Sequence, residues 1–354
     1  MNPGPASRPN SQARDGRRIL FALAAVVIVL AVAGVLLFRF WKRSEPTAQP
    51  VVPPSGDELR VHVLDVGQGD SILIIAPGGK SVLVDAGTPG SGRVVLDAMR
   101  RYNVGQLDLM VATHAHADHI GGADEVLRRT KVSAVLDSRV PATTKNYEDF
   151  LEAVDQSGAK YIAAQPGQKF DLGGGAVMTV LAPLQPFFRK DELRSGANEP
   201  NANSVVTRLD YGDFSMLLTG DAEAETEERL MASGANIRAK ILKVGHHGSR
   251  YASSAKFLRE GGFERAVVSN GAENRYGHPS HDALDRFRQL GMKLNRTDLE
   301  GEVTIVSRGR GYEVRTERAP TGDLWAGRTT PRGEDTARSE DESPRRTGRG
   351  AGGR

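Results

Sequence analysis

The sequence contains no cysteine among its 354 residues. A disulfide bond and a lipid attached to a cysteine are both excluded, so cysteine usage says nothing about the redox compartment. Aromatic residues make up 6% of the chain. They form no aromatic-rich basic stretch of the kind that predicts a platform for single-stranded nucleic acid.

The central part of the chain also lacks an excess of positive charge. The whole chain has a net charge of +3, but residues 57–316 contain 32 Lys and Arg against 35 Asp and Glu, a net charge of −3. The positive excess belongs to the two ends, so global charge does not identify the substrate. A pair of bound divalent cations would reverse the local sign at a site.

One long hydrophobic run lies near the N-terminus. Ile19 to Phe38 is a stretch of 20 residues without a charge, long enough as a helix to cross a hydrocarbon core of about 30 Å. It exceeds the usual core of a signal peptide, which favours an uncleaved membrane helix over residues 19–41 rather than a cleaved signal. The slight basic excess before the run predicts a cytoplasmic segment 1–18 and an extracytoplasmic catalytic domain on a single-pass cell-membrane protein.

Two segments of biased composition flank the central domain. Residues 44–56 hold four prolines among small and polar residues, which is typical of a stiff extended linker. Residues 317–354 are rich in Arg, Gly, Pro, Ser and acidic side chains, and we predict a disordered tail there. The folded domain is then residues 57–316.

Short strands and amphipathic helices are interleaved in this domain. The patterns predict strands at 59–66, 71–75, 81–85, 107–112, 177–181, 204–210, 214–218, 239–244 and 265–269. They predict helices at 92–102, 124–129, 146–157, 222–233, 253–260 and 281–290. Hairpin strands interleaved with helices indicate two sheets with helices on their outer faces, an αββα sandwich of the α+β class.

Seven of the eight histidines fall into three clusters. The first lies in the segment Thr113 to Gly122, THAHADHIGG, directly after the strand predicted at 107–112. Imidazole and carboxylate groups hold Zn²⁺ or Mn²⁺ while leaving a position for water. The spacing lets alternate histidines reach one metal while the following Asp and His reach a second, and two cations about 3.5–4 Å apart can clamp a phosphoryl group.

A two-metal site also needs a bridging ligand, and Asp221 is the candidate. It ends the segment MLLTGD, so a glycine turn presents its carboxylate at the tip of the strand predicted at 214–218. Asp221 could instead be the N-cap of the helix predicted at 222–233, because Asp is a favoured capping residue.

Taken together, these motifs resemble the metallo-β-lactamase superfamily, and within it the soluble hydrolase domain of the ComEC competence family. The resemblance covers roughly residues 57–316. It rests on the cluster at 114–122 and on the segments LDVGQGDS at 64–71, LVDAG at 83–87, NANSVV at 201–206, LTGD at 218–221, LKVGHHGS at 242–249 and YGHP at 276–279.

The resemblance implies a set of site residues and two divalent ions, Zn or Mn. Its metal ligands are His114 and His116 for one ion, Asp118, His119 and His278 for the other, and Asp221 as the bridge. It also implies catalytic roles for Asp118 and for His247, which would face the substrate as oxyanion stabiliser or as acid to the leaving oxygen. Spacing alone does not decide between His246 and His247, and we favour His247.

The sequence departs from the superfamily pattern at one ligand position. Many members have a third histidine for the first metal about twenty residues before the bridging Asp, where this chain has Asn201 and Asn203. The ComEC-like branch shares this segment. We therefore expect weaker binding of the first metal, or a preference for Mn²⁺ over Zn²⁺.

Other polar residues near the motifs are candidates for contacts with the substrate or with the ligands, although turn, cap or surface roles fit equally well: Asp70, Asp85, Asn201, Asn203, Lys243, His246, Ser249, Arg250 and Arg275. Asp85 could orient a ligand histidine. His62 is expected to be a packed or surface residue, and His281 a helix-capping residue.

The favoured function is a membrane-anchored metal-dependent hydrolase, a phosphodiesterase or nuclease that acts on DNA at the cell envelope. DNA is favoured as the substrate only because of the resemblance to the ComEC family. Competence channels carry a multi-helix pore, whereas one spanning segment is predicted here, so DNA transport by this polypeptide alone is not expected. The alternatives are a hydrolase of small or cell-envelope esters, such as phosphocholine esters, lactones or β-lactams, and a non-catalytic envelope binding module.

Overall fold

The computed structural model describes residues 56–193, 198–272 and 274–328. Within these ranges, no helix combines the length and the apolar character needed to span a bilayer. The predicted cytoplasmic segment 1–18, the predicted membrane helix 19–41, linker residues 44–55 and tail residues 329–354 lie outside the described residues.

Short strands form the sheets on either side of the core. In chain order they are β1 Leu59–Val63, β2 Ile72–Ile75, β3 Ser81–Val84, β4 Gln106–Leu107, β5 Leu109–Ala112, β6 Lys131–Val132, β7 Ala134–Asp137, β8 Lys160–Ala163, β9 Lys169–Gly173, β10 Ala176–Ala182, β11 Val206–Tyr211, β12 Phe214–Leu218, β13 Ile241–Lys243, β14 Arg265–Val268, β15 Lys293–Arg296, β16 Val303–Ser307 and β17 Glu313–Thr316.

These strands form two large sheets. The first has eight strands in the order β17-β16-β1-β2-β3-β5-β7-β8, the second has seven in the order β15-β14-β13-β12-β11-β10-β9, and β4 pairs separately with β6. Each large sheet joins an antiparallel half to a parallel half. The parallel strands are β3, β5, β7 and β8 in the first sheet and β12 to β15 in the second.

The two sheets pack face to face around a shared hydrophobic core. Val61 and Ile74 of the first sheet belong to the same buried cluster as Met178 and Met216 of the second. Successive side chains of a strand point to opposite faces. Leu73 accordingly belongs to another buried cluster, on the outer face of the first sheet.

Helices cover both outer faces of this pair of sheets. They are α1 Gly92–Arg101, α2 Ala117–Ile120, α3 Ala123–Arg129, α4 Lys145–Ser157, α5 Glu199–Ala202, α6 Ala224–Ala232, α7 Ala255–Gly261, α8 His281–Gln289 and α9 Thr297–Glu300. Helices α1, α3 and α4 bury apolar side chains against the first sheet, and α6, α7 and α8 do so against the second. The αββα sandwich of the α+β class that the sequence predicts is confirmed.

The folded part of the chain continues beyond residue 316. Arg318 N donates to Glu300 O at 3.1 Å, Thr321 N donates to Leu299 O at 3.1 Å, and Arg328 N donates to Pro279 O at 2.9 Å. Residues 317–328 therefore belong to the domain, and placing the start of the tail at 317 was wrong. Composition suggested disorder there because few large apolar side chains are present, but backbone hydrogen bonds hold this segment in place.

Candidate metal centre

The histidine-rich loop leaves a strand that is buried along its whole length. All four residues of β5 are buried, and the loop that follows carries its histidines into the interior between the two sheets. His114 Nε2 lies 3.0 Å from His116 Nδ1. Helix α2 then begins at Ala117 and places Asp118 and His119 in its single turn, both of them buried.

Asp221 reaches the same region from the second sheet. It follows β12 after Thr219 and Gly220, and its side chain is fully buried. Its Oδ1 lies 3.2 Å from His119 Nε2, and its Oδ2 lies 3.8 Å from His114 Nε2. Helix α6 has Glu223 rather than Asp221 as its N-cap residue. The carboxylate of Asp221 is therefore directed at the histidines, and the capping alternative does not hold.

A second pair of histidines enters from the turn after β13. His246 and His247 both have left-handed backbone conformations, with φ of 45° and 50°, which non-glycine residues rarely adopt. Gly248 follows with φ of +86°, and a Cβ on it would lie 2.7 Å from Pro279 Cβ. Glycine is therefore required at position 248, and the turn directs the two adjacent imidazoles to different sides.

Among the described residues, two possible ligand groups share Asp221, and a third consists of Asp70, Asp85 and His119. In each group, one ligand atom per residue lies within 4.8 Å of all the others: His114, His116 and Asp221 in the first group, and Asp118, His119, Asp221 and His247 in the second. His247 Nε2 is 3.1 Å from Asp118 Oδ2 and 3.7 Å from Asp221 Oδ1. This arrangement matches the donor chemistry of a pair of divalent cations.

The hydrogen bonding of the groups also fits metal binding. Both carboxylate oxygens of Asp221, Oδ1 of Asp118 and Nε2 of His119 are buried and have no hydrogen-bond partner within the described part of the chain. Buried polar atoms are normally paired, because an unmet donor or acceptor costs about 1–3 kcal/mol. Four such atoms directed at one another are accounted for when cations occupy the space between them.

The cluster holds opposite charges away from water. Burial lowers the pKa of His119, but the carboxylates of Asp221, Asp118 and Asp85 outweigh it and raise that pKa well above its usual value. Burial also lowers the pKa of His247, and the neighbouring carboxylates raise it to about 10. Burial raises the pKa of Asp221, and the histidines hold it well below the usual value. The carboxylates thus favour cations at this point in the protein.

A family model described as the metallo-beta-lactamase superfamily matches residues 64–271. The chain belongs to this superfamily. The match covers more than half of the chain and includes the histidine loop, Asp221 and the turn with His246 and His247. Fold, ligand groups and family together identify a metal-dependent hydrolase of the metallo-beta-lactamase superfamily.

Two curated relatives match most of this chain. The chain is 29% identical over 270 residues to ComE operon protein 3 of Bacillus subtilis (strain 168), covering 72% of this chain and 34% of that protein. It is 30% identical over 304 residues to competence protein ComA of Neisseria gonorrhoeae, covering 83% of this chain and 39% of that protein. The resemblance to a ComEC-like hydrolase domain is confirmed, and the chain spans well under half the length of these curated relatives.

A solved structure with a similar fold is the metallo-beta-lactamase fold protein YhfI from Bacillus subtilis. It aligns with a TM-score of 0.43 and 15% sequence identity, covering 67% of this chain and 96% of that chain.

The structure exchanges the places of two histidines relative to the family-based expectation. His247, expected to face the substrate, is fully buried within the second ligand group. His278, expected in that group, is half-buried, and its ring centroid lies 5.2 Å from that of His246. The left-handed turn directs His247 into the ligand group, whereas His278 lies in another loop, where Asn274 Oδ1 accepts from His278 N at 3.1 Å.

Asp85 and Asp70 lie close behind the ligand groups. Asp85 Oδ2 is 2.8 Å from His119 Nδ1, and Asp85 also accepts from Thr113 N and Thr113 Oγ1. Asp70 Oδ2 pairs with Lys243 Nζ at 2.7 Å. Burial raises the pKa of Asp70, but the ammonium of Lys243 and the neighbouring histidines lower it to about 2. Both carboxylates therefore contact the site from within the protein.

Several residues proposed as phosphate or substrate contacts have internal partners instead. Lys243 is fully buried and donates to Val244 O at 2.8 Å in addition to its pairing with Asp70. Ser249 is buried, and its Oγ accepts from Tyr251 N at 3.2 Å. Asn203 donates to Phe188 O and accepts from Phe188 N. These contacts fit the supporting role beside the ligands, and contact with the substrate stays a prediction.

The remaining histidines lie outside the two ligand groups. His62 is buried on β1, where Nδ1 lies 2.9 Å from Glu302 Oε1. His281 is exposed at the start of α8, whose N-cap is Ser280. Sequence reasoning missed Glu223, whose Oε1 lies 2.7 Å from His246 Nδ1. Its position two residues after the bridging Asp221 could have identified Glu223 as a candidate.

Proposed function

We propose that this chain is a membrane-anchored, metal-dependent phosphodiesterase, a nuclease that cleaves DNA at the cell envelope. The observation that carries the proposal is the pair of buried ligand groups sharing Asp221. Divalent cations in such a pair lower the pKa of water and neutralise the charge on a phosphoryl group. Phosphodiester hydrolysis is chemistry that needs both contributions.

Each protein group has a distinct task in this proposal. The residues that would hold the cations are His114, His116 and Asp221 on one side and Asp118, His119, Asp221 and His247 on the other. Asp85 fixes the orientation of the His119 ring through the 2.8 Å contact with Nδ1, because a carboxylate partner sets the tautomer of a ligand imidazole. His278 is half-buried beside His246 and would give a proton to the leaving oxygen.

Four exposed or half-buried side chains beside the site histidines in the sequence are suited to nucleic acid. Arg250 and Tyr251 follow the turn with His246 and His247, and the Arg250 guanidinium lies 5.7 Å from the Tyr251 ring centroid. Arg275 and Tyr276 precede His278, with a corresponding separation of 5.4 Å. Arginine binds phosphates and aromatic rings stack on bases. Two such pairs on separate loops support a substrate that carries both groups.

DNA is proposed as the substrate because the chain resembles the ComEC competence family and matches a relative named as a competence protein. Those proteins are much longer, so the activity of the whole relative is not transferred. The membrane anchor rests on the hydrophobic run at 19–41. In a spheroplast experiment, we expect the chain in the membrane fraction and its catalytic domain cleaved by protease added outside. Protection of that domain would reverse the proposed orientation.

A cleavage assay tests the catalytic part of the proposal. The purified full chain with Mn²⁺ should nick plasmid DNA, and the double variant Asp118→Ala, His119→Ala should lose this activity. The matched control is the double variant His281→Ala, Asp282→Ala, which changes an exposed histidine and aspartate at the start of α8 and should retain it. Activity on a phosphocholine ester, lactone or β-lactam without activity on any nucleic acid would favour the small-ester alternative.

A further inference from the structure

The first ligand group has three residues, one fewer than the second. It contains two imidazoles and the shared carboxylate, whereas the second contains two imidazoles and two carboxylates. Asn201 stands in the segment where many superfamily members have a third histidine. A donor that completes the first group must come from another part of the chain.

His246 is placed to supply that donor. Its Nε2 lies 3.8 Å from Asp221 Oδ2, the same oxygen that lies 3.8 Å from His114 Nε2. The other oxygen of Asp221, Oδ1, faces His119 at 3.2 Å and His247 at 3.7 Å. The bridging carboxylate thus has one histidine of the turn on each of its two sides.

The opposite nitrogen of His246 has the partner that is typical of ligand histidines. Nδ1 lies 2.7 Å from Glu223 Oε1, and Glu223 is buried. Metal-bound histidines usually donate their second ring N–H to a carboxylate or carbonyl, which fixes the tautomer. With Nδ1 as the donor to Glu223, the lone pair of His246 is on Nε2, the nitrogen nearer to Asp221.

The backbone supports a functional reason for this placement. Consecutive left-handed conformations at His246 and His247 cost about 1–3 kcal/mol each and persist where the surrounding structure requires them. They set the two rings 6.2 Å apart with planes inclined by 69°. Two adjacent residues can then serve two different metal positions.

Asn201 occupies the space beside this imidazole. It is fully buried, and its Nδ2 lies 3.5 Å from both ring nitrogens of His246. The position that would hold a histidine in other superfamily members therefore contacts the ring that replaces it.

We infer that His246, oriented by Glu223, is the third imidazole ligand of the first metal position and takes the place left by Asn201. This inference rests on the proposed metal-dependent function, although it does not depend on the substrate. The sequence analysis expected weak binding of the first metal because it sought the third ligand only in the segment before Asp221. With His246 as a ligand, that reason for weak binding no longer applies.

Titration of the metal-stripped full chain with Mn²⁺ or Zn²⁺, together with absorption spectra of the Co²⁺-substituted chain, tests the inference without any substrate. The wild type should bind two cations. His246→Ala should keep one cation at wild-type affinity and bind the other at least about 10-fold more weakly, with altered Co²⁺ absorption. The remaining cation should be lost when Asp118→Ala and His119→Ala are added. His281→Ala, the matched control at an exposed histidine outside the two ligand groups, should still bind two.

The second variant is Glu223→Gln, which keeps the shape of the side chain and should weaken one cation about 10- to 100-fold. If circular dichroism shows that His246→Ala is not folded, the metal titration of Glu223→Gln tests the inference in its place. Retention of both cations at wild-type affinity in the folded variants, or loss of both, overturns the inference. A wild type that binds two cations but cleaves no DNA refutes the nuclease proposal alone.

Discussion

Asp85 and His119 form a direct contact in which Asp85 Oδ2 lies 2.8 Å from His119 Nδ1. Both side chains are buried, one at the end of β3 and the other in α2. The contact leaves Nε2 of His119 directed at Asp221. A residue outside the two ligand groups that share Asp221 thus determines which nitrogen of a proposed ligand is presented.

Asp85→Asn should lower affinity for one of the two cations about 10- to 100-fold, because carboxylate partners of ligand histidines typically have effects of this size. The measurement is a Zn²⁺ titration of the full chain. The matched control is Asp137→Asn, at the carboxyl end of β7, where the carboxylate contacts Tyr147 and Tyr161 rather than a site histidine. Equal affinities in Asp85→Asn and the wild type would remove Asp85 from the site.

Gly69→Ala should disturb the ligand loop far more than Gly67→Ala does. Both glycines have positive φ, +129° and +73°, so alanine is strained at either position, by about 1–3 kcal/mol. A Cβ on Gly69 would also lie 2.2 Å from Asp118 O, whereas one on Gly67 meets nothing within 4 Å. Denaturant unfolding should show a larger loss of stability for Gly69→Ala, and metal titration should show a loss of affinity for that variant alone.

Lys243→Met should destabilise the protein by about 3–5 kcal/mol, because it leaves the buried Asp70 carboxylate without its partner. The Lys243 and Asp70 side chains are 1% and 2% exposed, so solvent does not screen the charge that remains on Asp70. Adding Asp70→Asn should recover part of the loss, and denaturant unfolding of the four proteins in the cycle measures it. Lys256→Met, at an exposed pair with Glu260, should change stability little. A similarly small effect at Lys243 would contradict the role of the pair.

Glu227 should make stability fall as the pH rises from mildly acidic to neutral. Burial raises the pKa of its carboxyl group from 4.5 to about 7, although Ser253 N and Ser254 N donate to it. A carboxyl whose pKa is higher in the folded state contributes stability below about pH 4.5, and this contribution is lost as the pH rises through about 7.

The matched variant is Glu227→Gln, which stays neutral at every pH. The difference in unfolding free energy between this variant and the wild type should shift by up to about 3 kcal/mol between pH 5 and pH 8, in favour of the variant at pH 8. Denaturant unfolding at both pH values measures this. A difference that does not change with pH would mean that the buried carboxyl titrates at its ordinary value.

Much of the fold follows from local patterns. The apolar strand before the histidine loop, the hairpin that leads to Asp85 and the helix after Asp221 were predicted near their observed positions. Strands β6 to β9 and β15 to β17 were not predicted. Strand β17, with the sequence EVRT and no fully buried residue, is at the edge of its sheet, and its pairing with β16 is a tertiary contact that a local pattern does not contain.

The site was predicted in its residue types but not in every contact. Sequence spacing does not contain the left-handed turn at His246 and His247, which decides the direction of both rings. The pairing of Lys243 with Asp70 is also invisible to spacing, because the two residues come from different sheets and are far apart in the chain. A lysine next to a motif therefore suggested phosphate binding, whereas its partner is internal.

The shared Asp221 has a consequence for how the protein comes together. The histidine loop belongs to the first sheet, and Asp221, His246 and His247 belong to the second, so neither half of the polypeptide contains a complete pair of cation positions. Ions bound between them would hold the two sheets together. A truncated fragment or a loosened interface would then release its ions before the individual sheets unravel.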